Sequence, residues 1–155
     1  MSRRGILTDQ EARCIMYSML KTSKEKTISS IRLFSTLSRK DLHAVSGLMD
    51  IVSVESGTKI IEEGTFGREV YFIISGVAGV YKDGERVATL ESGNHFGELS
   101  AIDHKPRNAT VISDSAMELA IIGQREFNGL IDSIPEISNR LLSSLATRAR
   151  RLATL

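Results

Sequence analysis

Eight of the chain's 12 glycines fall between residues 51 and 122 (Gly57, Gly64, Gly67, Gly76, Gly79, Gly84, Gly93 and Gly97), each next to a short run of β-type residues. Glycine at such spacing marks turns, because it adopts backbone conformations that other residues avoid. Between the glycines stand Val52 and Val54, Lys59-Ile60-Ile61, Val70 to Ile74, Val77 to Tyr81, Arg86 to Leu90, Ala109 to Ser113 and Met117 to Ile122. Phe96-Gly97 closes one more such run. Asp83-Gly84 is the strongest hairpin signal, since both central residues of a type I′ turn need positive φ. About eight short strands with regular turns suggest a barrel or a jelly roll. The flanks are different: residues 1–50 hold only Gly5 and Gly47, and residues 123–155 return to helical texture. Helices, then strands, then helices is an α+β order, not an alternating βαβ one.

In the N-terminal flank, Ala12, Ile15, Met16, Met19 and Leu20 recur at helical spacing. They predict an amphipathic helix of about 14 residues from Thr8, weakening in the Lys/Ser/Thr stretch at 21–27. Cys14 is expected on its apolar side as a buried thiol. Ser38-Arg39-Lys40-Asp41 is an N-cap with a carboxylate three residues on, ahead of Leu42, Val45, Leu48 and Met49. In the C-terminal flank, Phe127, Leu130 and Ile131 precede Pro135, which suits a helix's first turn. Ile137, Leu141, Leu145, Ala149 and Leu152 then form a narrow apolar seam, fit for the barrel or for a partner helix and so for a homodimer. Arg140, Arg148, Arg150 and Arg151 are expected on a solvated face near that helix's C-terminus.

A length of 155 residues allows one domain with a short appendage. A net charge of +1 provides no field for nucleic acid or an anionic membrane. The longest apolar stretch, Val70 to Tyr81, is interrupted by Ser75, Gly76 and Gly79 and is too short to span a bilayer. One cysteine and no secretory signal fit a cytoplasmic protein. His95 and Glu98 find no third ligand nearby, so no metal site is expected. No serine lies in a nucleophile elbow.

The stretch Gly93 to Val111 (GNHFGELSAIDHKPRNATV) carries the chemistry. Gly97 removes a side chain where something approaches the backbone. Glu98 to Ile102 reads as one helical turn, with N–H groups that have no intrahelical partner. Arg107 follows nine residues after Glu98. Together they suit one phosphate and one sugar hydroxyl. A structural Glu98–Arg107 ion pair is the plainer alternative.

Phe96 to Val111 resembles the phosphate-binding cassette of cyclic nucleotide-binding domains (the Crp and protein kinase A regulatory-subunit type). Glu62-Glu63-Gly64-Thr65 and Tyr71-Phe72-Ile73-Ile74-Ser75-Gly76 are similar to the family's upstream run. Leu33-Phe34, Leu37-Ser38 and Asp41-Leu42 resemble its entry helix, and Phe127 to Leu145 its paired C-terminal helices. The resemblance covers about residues 31–155, with residues 1–30 as a helical extension. It implies an eight-stranded antiparallel β-roll flanked by N-terminal helices and two C-terminal helices.

The family's roles are implied one residue at a time. Arg107 would hold the exocyclic phosphate oxygens and Glu98 the ribose 2′-OH. The backbone around Gly97, Leu99, Ser100, Asn108 and Ala109 would complete the phosphate cradle. Val80, Ala88 and Phe96 would be apolar walls, and Leu152 would close a lid over the base. Asn108 departs from the Ala or Thr common after that arginine, so cyclic AMP, with cyclic GMP as the second choice, rests on the family alone. The resemblance implies a sensor that binds cyclic nucleotide without a cofactor or catalysis and acts on an effector protein or domain. The alternative is the ligand-sensing fragment of a Crp-like transcription regulator: such a regulator needs a helix-turn-helix beyond the last helix, so this reading holds only if the chain is a fragment. A scaffold with an empty pocket is disfavoured by the presence of both Glu98 and Arg107.

Overall fold

The computed structural model describes residues 6–152; expectations falling on residues 1–5 and 153–155 lie outside them. Helix α1 (Asp9–Ser29) leads through a 3-10 turn (Arg32–Phe34) into α2 (Arg39–Gly47). Eight strands follow: β1 (Asp50–Val54), β2 (Lys59–Ile61), β3 (Glu69–Ser75), β4 (Ala78–Lys82), β5 (Glu85–Leu90), β6 (His95–Phe96), β7 (Thr110–Ser113) and β8 (Met117–Gly123). The short helix α3 (Glu98–Asp103) interrupts them between β6 and β7, and α4 (Gln124–Ser133) and α5 (Pro135–Leu152) end the chain. The strands form two antiparallel four-stranded sheets, ordered β1-β8-β3-β6 and β2-β7-β4-β5. This is the α+β order expected from the glycine-punctuated strands and the eight-stranded antiparallel roll that the resemblance implies. The β4–β5 turn carries positive φ at both Asp83 and Gly84, as a type I′ hairpin requires.

Two apolar clusters hold the roll. Ile73, Ala78, Phe96, Val111, Met117 and Leu119 fill the space between the sheets. Phe34, Phe72, Phe127, Ile137 and Leu141 join the flanking helices to the outer face of β3 and β8. A fully buried side chain of this size contributes about 1.5–3 kcal/mol. The second cluster therefore anchors both the entry helices and α5.

Helix α1 differs from expectation in length and in the placement of its cysteine. It runs for 21 residues, starting from a full capping box between Thr8 and Glu11. The polar stretch does not end it, because Ile28 is buried in the core and Glu25 bonds His43 at 2.6 Å. Cys14 is exposed, not buried. At 3.6 residues per turn it lies opposite the 12–15–16–19–20 stripe, of which Ile15, Met16, Met19 and Leu20 are themselves exposed. The seam on α5 divides in two: Ile137, Leu141 and Leu145 pack on the core, whereas Ala149 and Leu152 are exposed. No helix among the described residues is long and apolar enough to cross a membrane.

Candidate functional site: a pocket between the sheet and the cassette

The site begins with a backbone clamp. The N–H of Gly64 donates to the carbonyl of Arg107, and the N–H of Arg107 donates to the carbonyl of Thr65, both at 2.8 Å. Gly64 makes this turn with φ of 81°. The Glu-Glu-Gly-Thr run and the arginine loop are thus one unit, 43 residues apart in sequence.

The guanidinium of Arg107 then threads between two glycines. Its Nη1 donates to the carbonyl of Gly97 and its Nη2 to that of Glu69, each at 2.9 Å. A Cβ on Gly67 would fall on the guanidinium itself, and one on Gly97 would lie 2.8 Å from Nη1 and 3.0 Å from the Glu69 carbonyl. Gly97 also has φ of 86° and caps α3 without a side-chain bond. The approach that Gly97 was expected to permit is therefore that of Arg107. Two of the five guanidinium donors are engaged by these carbonyls. Arg107 is 4% exposed. It thus contributes to the fold as well as facing the pocket.

The pocket, about 190 Å³, is lined by Phe96, Gly97, Glu98, Leu99, Ser100, Arg107, Asn108 and Ala109. Val80 and Ala88, with Ile61, Leu90 and Val111, make its apolar side. Phe96 is held by stacking on Tyr71, with ring centroids 5.0 Å apart and planes 7° from parallel. The first turn of α3 opens into the same space, tied from behind where Asn128 Nδ2 donates to the Ala101 carbonyl. Ten of the eleven residues expected here from sequence thus line one pocket. Leu152 does not; it is 87% exposed and is no lid in this structure.

Arg148 lines the pocket instead, and this corrects the expectation of a solvated arginine face on α5. Its Nη1 pairs with Glu98 Oε1, and its Nη2 donates to the His95 carbonyl at 3.1 Å. Glu98 is 1% exposed. The carboxylate's partner is therefore Arg148 and not Arg107. Arg140 is also engaged, donating to the Arg32 carbonyl and Ser35 Oγ. One signal for Arg148 was available in sequence: it falls on the seam side of α5, next to Leu145 and Leu152 at spacings of three and four.

Behind Glu98 lies His95, 7% exposed, with Nε2 3.8 Å from Glu98 Oε1 and without a hydrogen-bond partner among the described residues. Burial lowers its pKa; Glu98 opposes that shift and Arg148 adds to it. The folded state therefore binds this proton less readily than the unfolded one. Stability should fall as pH drops through the ordinary histidine value of 6.5 and level off below the folded value. In urea unfolding at a series of pH values, His95→Gln should lose this part of the slope. Equal slopes in the two proteins would show that burial does not hold the imidazole neutral.

Residues 51–133 match the family model described as the cyclic nucleotide-binding domain. The cAMP-dependent protein kinase regulatory subunit of Mucor circinelloides f. lusitanicus is 30% identical over 75% of this chain. The chain spans 28% of that relative's length. Among solved structures, the regulatory domain of Toxoplasma gondii PKA with cAMP is 35% identical, with a TM-score of 0.63 over 72% of this chain and 44% of that one. The regulatory subunit of a cAMP-independent protein kinase A from Trypanosoma brucei, 20% identical, shares the fold, with a TM-score of 0.73 over 80% of this chain and 45% of that one. With the roll, the cassette and the family match in agreement, the chain belongs to the cyclic nucleotide-binding domain family.

Proposed function

We propose that the chain is a non-catalytic sensor whose pocket takes a cyclic nucleotide, with cyclic AMP the preferred ligand. The observation that carries this reading is the charge and geometry of one pocket. Two guanidiniums, Arg107 and Arg148, and one carboxylate, Glu98, leave one positive charge facing it. A cyclic phosphodiester carries one negative charge, whereas a terminal phosphate carries nearly two at neutral pH. The site therefore suits a cyclic nucleotide better than its linear monophosphate.

In this reading Arg107 and the N–H groups of the first α3 turn hold the phosphate, and Glu98 accepts the ribose 2′-OH. Val80, Ala88 and Phe96 meet the apolar parts of the ligand. The preference for cyclic AMP is supported by the kinase regulatory subunits whose names specify it. The Trypanosoma relative, described as cAMP-independent, is the reason to test it, since the same fold does not fix the ligand. Residues 31–155 form the sensor and residues 1–30 its extension, joined through the buried Ile28. The effector is a protein kinase, after the relatives' names, and the chain acts in the cytoplasm.

Calorimetric titration tests the reading. Cyclic AMP should bind more tightly than cyclic GMP and far more tightly than 5′-AMP. Glu98→Gln keeps the shape but weakens the acceptor, and should cost about 1–2 kcal/mol for cyclic AMP and much less for its 2′-deoxy analogue. Equal losses would separate Glu98 from the ribose. Absence of binding by either cyclic nucleotide would leave the empty-pocket scaffold as the reading.

A further inference from the structure

The N-terminal half of α1 carries an apolar stripe that no described residue covers. Ile15 is 46% exposed, Met16 59%, Met19 66% and Leu20 64%. The same helix is tied to the domain further along, where Glu25 bonds His43 and Ile28 enters the core. At 100° per residue, Ile28 lies about a third of a turn or more from the centre of the stripe. The stripe is therefore a second face of α1, not the continuation of the packed one. It is also well defined, since the capping box at Thr8 and Glu11 fixes the helix start seven residues before Ile15.

We propose that this stripe pairs α1 with α1 of a second copy, in antiparallel orientation. Area supports a pair: side chains of this size carry on the order of 200 Å² each, so the exposed parts of four amount to roughly 500 Å² per copy. Doubling that reaches the ~1,000 Å² that marks the lower end of specific interfaces. Charge sets the orientation. Asp9 and Glu11 stand at the start of the helix, and Lys24 and Lys26 near its end. An antiparallel pair that puts Ile15 beside Leu20 and Met16 beside Met19 brings Asp9 near the other copy's Lys24 on one flank. It brings Glu11 near the other copy's Lys26 on the other. A parallel pair would set acid against acid and lysine against lysine. The two methionines supply adaptable contact surface. On α5, by contrast, the apolar seam is turned inward along Ile137, Leu141 and Leu145.

Sedimentation equilibrium of the full chain should show a monomer–dimer equilibrium that shifts toward the dimer as concentration rises, since the interface lies at the small end of the specific range. Met16→Glu with Leu20→Glu, both at exposed positions, should leave a monomer with unchanged circular dichroism. Lys24→Glu alone and Asp9→Lys alone should each self-associate several-fold more weakly. An equal mixture of those two variants should associate as tightly as the wild type, because both flanking contacts become opposite in charge again. A wild type that stays monomeric, or a dimer that survives Met16→Glu with Leu20→Glu, overturns the pairing. A mixture no tighter than its components overturns the antiparallel orientation. None of these readouts depends on the ligand, so they stand apart from the sensor reading.

Discussion

Arg107→Ala should weaken cyclic AMP binding by about 2–4 kcal/mol, roughly 30- to 1,000-fold, through loss of a charge-assisted contact to the phosphate. It should also destabilise the fold. From sequence alone the residue serves the ligand and its loss leaves folding untouched. The structure adds a second role, because the guanidinium donates to the Gly97 and Glu69 carbonyls and fills the space between Gly67 and Gly97. Removing it leaves two carbonyls without their donor, each worth about 1 kcal/mol or more where buried. A drop of about 1–3 kcal/mol in urea unfolding is therefore expected beside the binding loss. Arg107→Lys separates the two effects: it keeps a charge but not the planar fork, so it should recover part of the stability and less of the affinity. Unchanged affinity in Arg107→Ala would remove the phosphate from this site.

Fold and site were legible in the sequence to different depths, for identifiable reasons. The strands could be read because their signals are local: Asp83-Gly84 needs only its own two φ angles. The cassette could be read because its parts are near in sequence, with Glu98 and Arg107 nine residues apart. The clamp from Gly64 and Thr65 onto the Arg107 backbone was visible only as a run of family-like residues. No local rule relates positions so far apart. Gly67 reads in sequence as a turn glycine, although its missing Cβ is what admits the Arg107 guanidinium. Periodicity alone ends helix α1 too early, because its polar segment is weakly patterned. The anchor that keeps it helical, Ile28 in the core, is a tertiary contact, and such contacts override propensity.

The arginines of α5 show where pattern reasoning fails most. A run of cations near a helix C-terminus has a sufficient explanation in the helix dipole. Only seam spacing, three after Leu145 and four before Leu152, separates Arg148, which reaches Glu98, from Arg150, which is exposed. The lid at Leu152 has a different origin, the family resemblance. In three dimensions α5 meets the pocket one turn earlier, through a charge.

That charge makes Arg148→Ala the variant with the largest expected effect on stability. Glu98 is buried, so removing its partner leaves a carboxylate with little water and no cation in contact. Breaking a buried pair costs about 3–5 kcal/mol; with the Arg148 side chain 39% exposed, about 2–3 kcal/mol is expected here. Glu98→Gln in the same background removes the unpaired charge, so the double variant should be less destabilised than the two single losses added together. A coupling of about 1 kcal/mol or more in that cycle measures the pair itself. Additive losses would mean that Arg148 and Glu98 act independently. Hydrogen exchange supplies the structural readout. With its tie to the pocket removed, α5 should exchange faster over 141–152 in Arg148→Ala, whereas Leu152→Ala, at an exposed position, should leave 141–148 unchanged. The reverse result would return the coupling between α5 and the pocket to the apolar end of the helix.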